Sequence, residues 1–320
     1  MSDILKQISD IGIIPVIAIN DAKHAVPLAN ALAAGGLPIA EITFRTEAGQ
    51  QAITNIAKEC PNVLLGAGTV LRTEQVDMAI DAGATYIVTP GIDAKVVEHC
   101  QKRGIPVTPG VSCPSDVQLG VSLGLEILKF FPAEQYGGIS TLKAICGPYN
   151  MVKFIPTGGI SAKNVLDYLN FNKVIACGGS WMVQASLIND EKFDEIEQMT
   201  RDAVNVMLGF ELAHIGINTS GADESLAVTK GLAGMFNAPV KEGNSSNFAG
   251  TFAEVMKGDG PGAKGHIAMF TNSIPRAMAF FKRQGVEFDM ASLKGPEDAP
   301  IAVYFKEEFA GFGVHLLQRK

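Results

Sequence analysis

One lysine lies within an apolar stretch of the sequence, where a full positive charge is unusual. Lys129 stands between Leu128 and the aromatic pair Phe130 and Phe131. An ammonium that loses contact with water has its neutral amine form favoured, and a neutral amine is the nucleophile that condenses with a ketone to form a Schiff base. Lys129 is therefore a candidate Schiff-base residue. The alternative is a lysine that closes a strand and extends its charged end into solvent, as most lysines beside apolar runs do.

Further reactive side chains occur in the stretches EITFRT and GAGT. Glu41 and Arg45 are four residues apart in a strand-like stretch, so we expect both to point to the same side. A carboxyl group near an amine could move protons in both directions, or it could form a simple ion pair with Lys129. Arg45 and Thr69 could together hold a carboxylate, because a guanidinium fork matches a carboxylate and a hydroxyl adds a hydrogen bond. Alternatively, Arg45 could pair with Glu41 or Glu47.

Two glycine pairs occur near the end of the same region, in PTGGI and CGGSW. Gly158 and Gly159 form the first pair, and Gly178 and Gly179 precede Ser180 in the second. Glycines leave backbone N–H groups uncrowded, and N–H groups at the start of a helical turn attract anions. The pairs therefore predict a phosphate site, although glycines could also serve only to permit sharp turns.

These residues follow, or lie within, short apolar segments that alternate with helix-like sequence. The polar residues then fall at the carboxyl ends of the predicted strands, where (β/α)8 barrels carry their chemistry. An open doubly wound sheet is the alternative, but it normally has a glycine-rich turn after its first strand, and none follows Ile19. The predicted strands are Ile13–Ile19, Ile39–Phe44, Val63–Ala67, Tyr86–Thr89, Ile105–Thr108, Glu126–Phe130, Val152–Pro156 and Val174–Cys177.

Length and composition limit the class of protein. The 320 residues favour one large domain and one smaller one, and 47% hydrophobic with 18% charged residues predicts a soluble globular fold. The net charge of -7 argues against a nucleic-acid partner. No segment has the length of a membrane span, and the charged start of the chain does not resemble a targeting peptide. The five widely spaced cysteines predict reduced thiols in a cytoplasmic protein.

The strings EITFRTE, GAGTV, TPG, LKFFPAE, PTGGI and GGSW, in this order and spacing, resemble the bacterial 2-keto-3-deoxy-6-phosphogluconate (KDPG) aldolases, which also act on 4-hydroxy-2-oxoglutarate. The resemblance covers residues 1–208. It implies a class I aldolase, usually a homotrimer, that cleaves a 2-keto acid sugar phosphate to pyruvate and glyceraldehyde 3-phosphate without a metal or other cofactor. A sugar-phosphate sensor that uses the barrel only for binding is the alternative from a different class.

The resemblance also implies roles for individual residues. Lys129 would form the Schiff base and Glu41 would be the acid/base. Arg45 and Thr69 would hold the carboxylate of pyruvate. Residues that would shape the pocket are Pro90, Phe131 and Thr157, and residues that would bind the phosphate are Gly158, Gly159, Gly179 and Ser180.

Composition changes at Gly209, and residues 209–320 carry their own strands. AHIGIN and GHIAMF look like one unit used twice, each followed by a helical stretch. The pattern resembles the vicinal oxygen chelate (glyoxalase-like) superfamily, an α+β fold of two βαβββ modules. The positions that match its metal ligands are His214, Glu254, His266 and His315, a set that suits a divalent ion. The polar loop from Lys241 to Asn247 predicts a shortened first module. An oligomerisation or regulatory module, or a second metal-dependent activity, are the open alternatives.

Overall fold

A computed structural model describes residues 2–296 and 299–319 of the chain. It divides into two compact units, residues 1–207 and 208–320. The sequence places the boundary one residue later. Among the described residues, no helix combines the length and the apolar character needed to cross a membrane.

The first unit alternates parallel strands with helices. Its strands are β1 (Ile13–Ile17), β2 (Ile39–Thr43), β3 (Leu64–Gly68), β4 (Tyr86–Val88), β5 (Val107–Thr108), β6 (Gly110–Val111), β7 (Ile127–Phe130), β8 (Lys153–Pro156) and β9 (Cys177–Gly179). Its helices are α1 (Asp3–Ile11), α2 (Ala25–Ala34), α3 (Gly49–Glu59), α4 (Thr73–Ala82), α5 (Ala94–Arg103), α6 (Pro114–Ser122), α7 (Gly138–Cys146), α8 (Val165–Leu169), α9 (Ala185–Asn189) and α10 (Phe193–Leu208), the last of which ends at the first residue of the second unit.

These strands close into a TIM-like barrel. One sheet has the order β5-β4-β3-β2-β1-β9, and a second has the order β6-β7-β8. Single bridges from Phe154 to Val174 and from Thr157 to Gly178 link the segment around β8 to the segment around β9. The chain passes from β5 to β6 through Pro109, which has no N–H to donate. The predicted strand Ile105–Thr108 corresponds to β5, and β6 was not predicted. The carbonyl of Pro109 still accepts a hydrogen bond from the backbone of Lys129.

The last barrel strand lies further along the chain than the sequence predicts. The expected strand was Val174–Cys177, whereas the observed β9 begins at Cys177. Cys177 donates to the carbonyl of Gly12, and β9 then pairs in parallel with β1. Composition did not reveal this shift because glycines are poor strand formers, and pairing with β1 and the bridge to Thr157 hold Gly178 in the sheet.

The helices around the barrel begin and end on local signals. Before α5, the Asp93 side chain accepts hydrogen bonds from the backbone N–H groups of Lys95 and Val96. After it, Gly104 adopts a left-handed conformation with φ of 71° and returns its N–H to the carbonyl of Cys100. Val96 and Cys100 are buried against the barrel, and each buried valine contributes about 1.5–3 kcal/mol relative to an exposed one.

The described residues of the second unit form a mixed sheet and two helices. Its elements are β10 (Glu211–Ile217), α11 (Ala222–Met235), β11 (Val240–Glu242), β12 (Ser246–Ala249), β13 (Ala253–Met256), β14 (His266–Thr271), α12 (Ile274–Arg283), β15 (Phe288–Lys294), β16 (Ala302–Phe305) and β17 (Gly313–Gln318). The eight-stranded order is β11-β12-β13-β10-β14-β17-β16-β15. The order strand, helix, three strands therefore occurs twice, and the first and last strands of each repeat run parallel.

The prediction of a shortened first module is wrong. The polar stretch forms a hairpin in which β11 pairs with β12 and β12 pairs with β13. Asn247 is buried there because its amide donates to the Ser225 hydroxyl on α11 at 2.9 Å. Ser225 in turn donates to the carbonyl of Val255 at 2.8 Å. Hydrogen bonds to α11 thus compensate for a polar composition that is untypical of strands.

Candidate active site

Lys129 and Glu41 meet inside the barrel. Lys129 is 4% exposed and Glu41 is 2% exposed, and the ammonium donates to the carboxylate with an Nζ to Oε1 distance of 3.4 Å. Successive side chains on a strand point to opposite faces, so Lys129 points inward while Leu128 packs outward against Gly120 of α6. The lysine therefore does not extend to solvent, and the predicted ion pair with Glu41 is present.

Of the two neighbouring phenylalanines, only Phe131 contacts the Lys129 amine. The Phe131 ring lies with its centroid 5.2 Å from Nζ, within the range of a cation–π contact. Phe130 is fully buried and points to the opposite face of the strand. Phe131 is thus the aromatic neighbour that keeps water from the amine, and Phe130 belongs to the outer core.

Glu41 lies between a glycine and a buried tyrosine. A side chain at Gly68 would overlap the Glu41 carboxylate, so the carboxylate occupies space that only glycine leaves free. Tyr86 fills the corresponding space over Gly66 on the adjoining strand. Burial, together with the charge of Glu41, raises the pKa of Tyr86 well above its usual value. Tyr86 therefore keeps its proton.

Arg45 and Thr69 are in contact at the same end of the barrel. The Arg45 Nε donates to the Thr69 hydroxyl at 3.1 Å. Arg45 forms no ion pair with Glu41 or Glu47 within residues 2–296 and 299–319, so the alternative of a strand-end salt bridge has no support. Thr69 has a positive φ of 58°, which is unusual for a branched side chain and costs about 1–3 kcal/mol. Thr69 directly follows Gly68, the last residue of β3.

Thr157 contributes a hydroxyl without an internal partner. It follows β8 and is 6% exposed, and its Oγ1 has no hydrogen-bond partner among the described residues. A side chain at Gly178 would overlap this hydroxyl, so Thr157 occupies space between the two glycine turns. Pro90 follows β4 at the same end of the barrel, and its carbonyl packs against Gly110.

The two glycine turns lie side by side. Gly158 and Gly159 have positive φ values of 101° and 76°, and side chains on them would meet Pro132 and Glu134. The bridge from Thr157 to Gly178 brings this turn beside Gly179 and the exposed Ser180. Ser180 begins a hydrogen-bonded turn, in which its carbonyl accepts from Val183, and the next helix starts at Ala185.

Three residues that the sequence did not single out hold the first glycine turn. Asn164 donates to the carbonyl of Gly159 at 3.1 Å and accepts from the backbone N–H of Ser161 at 2.8 Å. Glu134 donates its backbone N–H to the carbonyl of Gly158 and accepts a hydrogen bond from the Tyr168 hydroxyl. The spacing of Ser161 and Asn164, which suits side-chain to backbone bonds, was the available signal.

In the second unit, four predicted ligand residues converge on one face of the sheet. His214 lies on β10, Glu254 on β13, His266 on β14 and His315 on β17. The Glu254 Oε2 lies 3.0 Å from the His214 Nε2 and 3.2 Å from the His266 Nε2, and the two Nε2 atoms are 3.2 Å apart. Ligand atoms about 2.0–2.1 Å from one ion lie roughly 3 Å from each other. The spacing therefore fits adjacent ligands of a metal ion.

The third imidazole is that of His315. His315 is buried, and both its Nδ1 and its Nε2 lack hydrogen bonds among the described residues. Its ligand atom lies within 4.8 Å of those of His214 and His266. Burial, reinforced by the other two imidazoles, lowers the pKa of His315 to about 4. The ring is neutral at pH 7, which is the form that binds metals.

Glu254 is ionised despite its surroundings. Burial opposes its charge, but hydrogen bonds from His214, His266 and the Ser246 hydroxyl outweigh that effect and hold the pKa of Glu254 well below its usual value. One carboxylate and three imidazoles make a hard and borderline donor set that suits Zn, Ni, Mn or Fe. Glu254 therefore faces the imidazoles of His214 and His266 and does not extend into solvent.

Small residues make room for the imidazoles. Gly216 pairs with His266 across β10 and β14, and any side chain at Gly216 would overlap the His266 ring. Ala268 pairs with His214 on one side and with His315 on the other. Imidazoles and small residues thus alternate across the central strands, and this pattern is what permits three rings in one layer.

A TIM-like barrel with a buried lysine and carboxylate at its centre agrees with the comparisons of this chain with known proteins. The family model of KDPG and KHG aldolases matches residues 4–199. The chain therefore belongs to the KDPG and KHG aldolase family. The second unit lies outside that match.

Individual relatives give the same result. The chain is 43% identical over 204 residues to the 2-dehydro-3-deoxy-phosphogluconate aldolase of Haemophilus influenzae, covering 64% of this chain and 96% of that protein. It is 44% identical over 192 residues to the KHG/KDPG aldolase of Escherichia coli, covering 60% and 90%.

A solved structure of the KDPG aldolase of Legionella pneumophila, with pyruvate captured as a covalent carbinolamine, is 37% identical with a TM-score of 0.61, covering 63% of this chain and 98% of that one. The aldolase of Zymomonas mobilis with 3-phosphoglycerate is 37% identical with a TM-score of 0.58, covering 62% and 94%.

Proposed function

We propose that the barrel is a class I aldolase that cleaves KDPG to pyruvate and glyceraldehyde 3-phosphate through a Schiff base at Lys129. The same chemistry would convert 4-hydroxy-2-oxoglutarate to pyruvate and glyoxylate. The observation that carries the proposal is the buried contact of 3.4 Å between the Lys129 amine and the Glu41 carboxylate. The carbinolamine with pyruvate in the Legionella relative supports covalent chemistry of this kind.

The first steps join substrate and enzyme. Glu41 takes a proton from the Lys129 ammonium, and the free amine attacks the C2 ketone to give a carbinolamine. Glu41 then returns a proton to the C2 hydroxyl, which leaves as water, and the nitrogen lone pair forms the iminium. Because Glu41 touches the lysine directly, one carboxyl group can serve every proton transfer at C2.

Carbon–carbon cleavage uses the iminium as the electron acceptor. Glu41, directly or through one water, takes the proton of the C4 hydroxyl while the C3–C4 bond breaks. The bonding electrons move to C3 and on to the iminium nitrogen, which leaves an enamine and a free aldehyde. Protonation of C3 and hydrolysis of the new iminium release pyruvate and restore the lysine.

The contacts at the strand ends would orient the substrate. Arg45, held by Thr69, offers its remaining N–H groups to the carboxylate beside the ketone. The partnerless Thr157 hydroxyl offers a hydrogen bond to a polar substrate atom. The turns at Gly158, Gly159, Gly179 and Ser180 would hold the phosphate with backbone N–H groups. Binding energy at the phosphate, remote from the breaking bond, then orients the reacting carbon.

Borohydride reduction in the presence of pyruvate tests the proposal. Wild-type protein should gain the mass of reduced pyruvate on the peptide that contains Lys129, and Lys129→Ala should lose both the label and essentially all turnover. Lys153→Ala is the matched control, because Lys153 lies on the neighbouring strand and is exposed. Unlabelled wild-type protein with full activity would refute the Schiff base.

As a second candidate function, we propose that residues 208–320 form a vicinal oxygen chelate unit that binds a divalent ion through His214, Glu254, His266 and His315. The repeated order of strand, helix and three strands supports the fold assignment. The orphaned nitrogens of buried His315 support the ion, because a buried polar atom normally has a partner. When bound, the ion would supply Lewis acidity to oxygen atoms of a ligand.

Metal analysis of the purified full-length protein tests this centre. We expect about one equivalent of Zn, Ni, Mn or Fe per chain, and its loss in His266→Ala. His99→Ala is the matched control, because His99 pairs with Asp77 on the barrel surface. Equal metal content in both variants would exclude the His266 cluster as the site.

We also propose that the chain forms the homotrimer that the family resemblance implies. Analytical ultracentrifugation of the full-length protein and of a chain ending at Leu208 would measure the mass of each species. A monomeric or dimeric full-length protein would contradict this proposal without affecting the Schiff-base chemistry.

A further inference from the structure

The sheet of the second unit has two faces with different surroundings. The candidate metal ligands lie on one face, and helices α11 and α12 pack on the other, which we call the outer face. Ala253 precedes the ligand Glu254 in β13 and therefore points to the outer face, where it packs with Ala233 of α11. On β16, the Phe305 ring lies with its centroid 5.0 Å from that of Phe281 of α12. The central strands β10 and β14 lie between these two helix-covered parts of the sheet.

A bulge in β10 turns an additional apolar side chain to the outer face. Alternation along an undistorted strand would put Leu212 on the same face as His214. The pairing of β10 with β14 shifts between these two residues, and Leu212 pairs with Met269. His214 pairs with Ala268, which is adjacent to Met269 and points to the opposite face. Leu212 therefore points outward, as Ile215 does, and redirecting a side chain is a usual effect of a bulge.

Five exposed apolar side chains lie together on the outer face. The backbone N–H of Ile215 donates to the carbonyl of Phe252 at 2.9 Å, and the Phe252 ring centroid lies 5.4 Å from that of Phe236. Half-buried partners on β14 continue the apolar surface, and these are Ile267 and Met269. We call the five exposed residues the outer patch, and their exposed fractions are Leu212 54%, Ile215 44%, Met235 76%, Phe236 62% and Phe252 39%.

The size of the outer patch distinguishes it from apolar residues scattered over a surface. At about 200 Å² for a large apolar side chain, the exposed fractions amount to on the order of 500 Å². The largest apolar patch of a typical monomer is about 300–600 Å² and is often a site of interaction. Two such patches facing each other would remove on the order of 1,000 Å² from water before the surrounding rim is counted, which is about the area that a specific interface needs.

The chemistry of the outer patch favours an identical surface as its partner. All five side chains are uncharged, and phenylalanine and methionine are enriched in the centre of protein interfaces. A two-fold axis brings the same patch from each copy together, and an uncharged surface meets no repulsion there. Next to Leu212, Glu211 pairs with Arg319 at 2.8 Å, so these neighbouring charges are already compensated. The net charge of -7 disfavours the other apolar partner, an anionic lipid surface.

We propose that the outer patch is a two-fold interface between the second units of two copies of this chain. Strands β10 and β14 of each copy then face those of the other, and the apolar side chains on them leave water. If the barrels also associate as the trimer proposed above, pairing of the second units combines two trimers into a hexamer. If the barrels do not associate, the same interface gives a dimer. In both cases the wild-type assembly has twice the mass of one whose outer patch cannot pair.

Sedimentation velocity of full-length proteins over a wide range of concentration tests the interface. Phe236→Lys and Ile215→Lys each place a charge in the patch, and the charge meets an apolar surface or its own copy across the axis. We expect these variants to have half the wild-type mass, with a dissociation constant at least about a hundredfold higher. Met290→Lys is the matched control, because Met290 is 51% exposed and lies on β15, at one edge of the same sheet. This variant should keep the wild-type mass.

A milder variant and two further measurements distinguish loss of the interface from loss of the fold. Phe236→Ser removes apolar area without adding a charge, so we expect a dissociation constant about tenfold higher than that of the wild type. Circular dichroism should be unchanged in all variants, since the substituted side chains are exposed. Pyruvate release should also be unchanged, because the patch lies outside the barrel site.

Four outcomes would overturn the proposed interface. The first is an equal mass for wild type, Phe236→Lys and Ile215→Lys. The second is a halved mass for Met290→Lys as well, because charge anywhere on the second unit would then have the same effect. The third is a wild-type assembly with an odd number of chains, and a trimer would leave the proposal for the barrels intact. The fourth is equal masses together with binding of wild type, but not of Phe236→Lys, to vesicles of anionic lipid, which would assign the patch to a lipid surface.

Discussion

The barrel and the second unit both bury polar side chains, but they compensate for the burial differently. In the barrel, the Lys129 ammonium and the Glu41 carboxylate satisfy each other directly. In the second unit, His315 has two buried nitrogens without partners among the described residues. The first arrangement contains all the groups that its proposed chemistry needs. The second leaves these nitrogens without a partner, and the ion proposed above would supply one.

The largest effect should come from removing the proton-transfer group of the barrel. Glu41→Gln keeps the shape of the side chain but cannot accept a proton, so we expect kcat to fall by about 10²- to 10⁴-fold. Coupled pyruvate-release assays on KDPG measure it. Glu47→Gln is the control, because Glu47 is exposed and has no ion pair with Arg45 among the described residues. A kcat close to wild type would assign the proton transfers to another group.

A chelator should affect the second unit and leave the barrel unchanged. An ion that binds only the folded state stabilises it by about 4 kcal/mol when free ion is at about a thousand times its Kd, so its removal should lower the thermal transition of the second unit. Calorimetry with and without EDTA measures this shift. Aldolase turnover should stay constant, because the pair of Lys129 and Glu41 needs no ion. Loss of turnover with EDTA would contradict the expectation that aldolase activity does not depend on the ion.

A medium effect is expected at the glycine turn. Asn164→Ala removes the hydrogen bond to the carbonyl of Gly159, worth about 1 kcal/mol, and loosens the proposed phosphate site. We expect KM for KDPG to rise several-fold while kcat stays nearly constant. KM for 4-hydroxy-2-oxoglutarate, which has no phosphate, should not change. Parallel increases for both substrates would mean that Asn164 supports the fold in general.

The smallest effect is a difference in thiol reactivity. All five cysteines lie in the barrel, and four of them are buried, whereas Cys113 is half-buried. Burial raises the pKa of Cys100 to about 12, so this thiol is unreactive at pH 8. A thiol reagent should therefore modify Cys113 first. EDTA should not change the rate at which Cys113 is modified. Faster modification with EDTA would show that removing the ion changes the structure around Cys113.

Sequence patterns predicted the contact of Lys129 with Glu41 because each pattern involves neighbouring residues of one strand. Alternation along a strand put Glu41 and Arg45 on one side, and the apolar run around Lys129 indicated burial. Strand register does not follow from composition, and for this reason the stacking of the Tyr304 ring on His315 was not predicted. This contact depends on how β16 and β17 align. The hairpin that buries Asn247 was missed because its partner, Ser225, lies on a distant helix.

The close packing of the His266 ring over Gly216 links two positions that are far apart in the chain. A related chain that had lost its imidazole at the second position would be free to carry alanine or a larger residue at the first. Comparing these two positions across related chains would then separate those that kept the proposed ion site from those that kept the sheet alone.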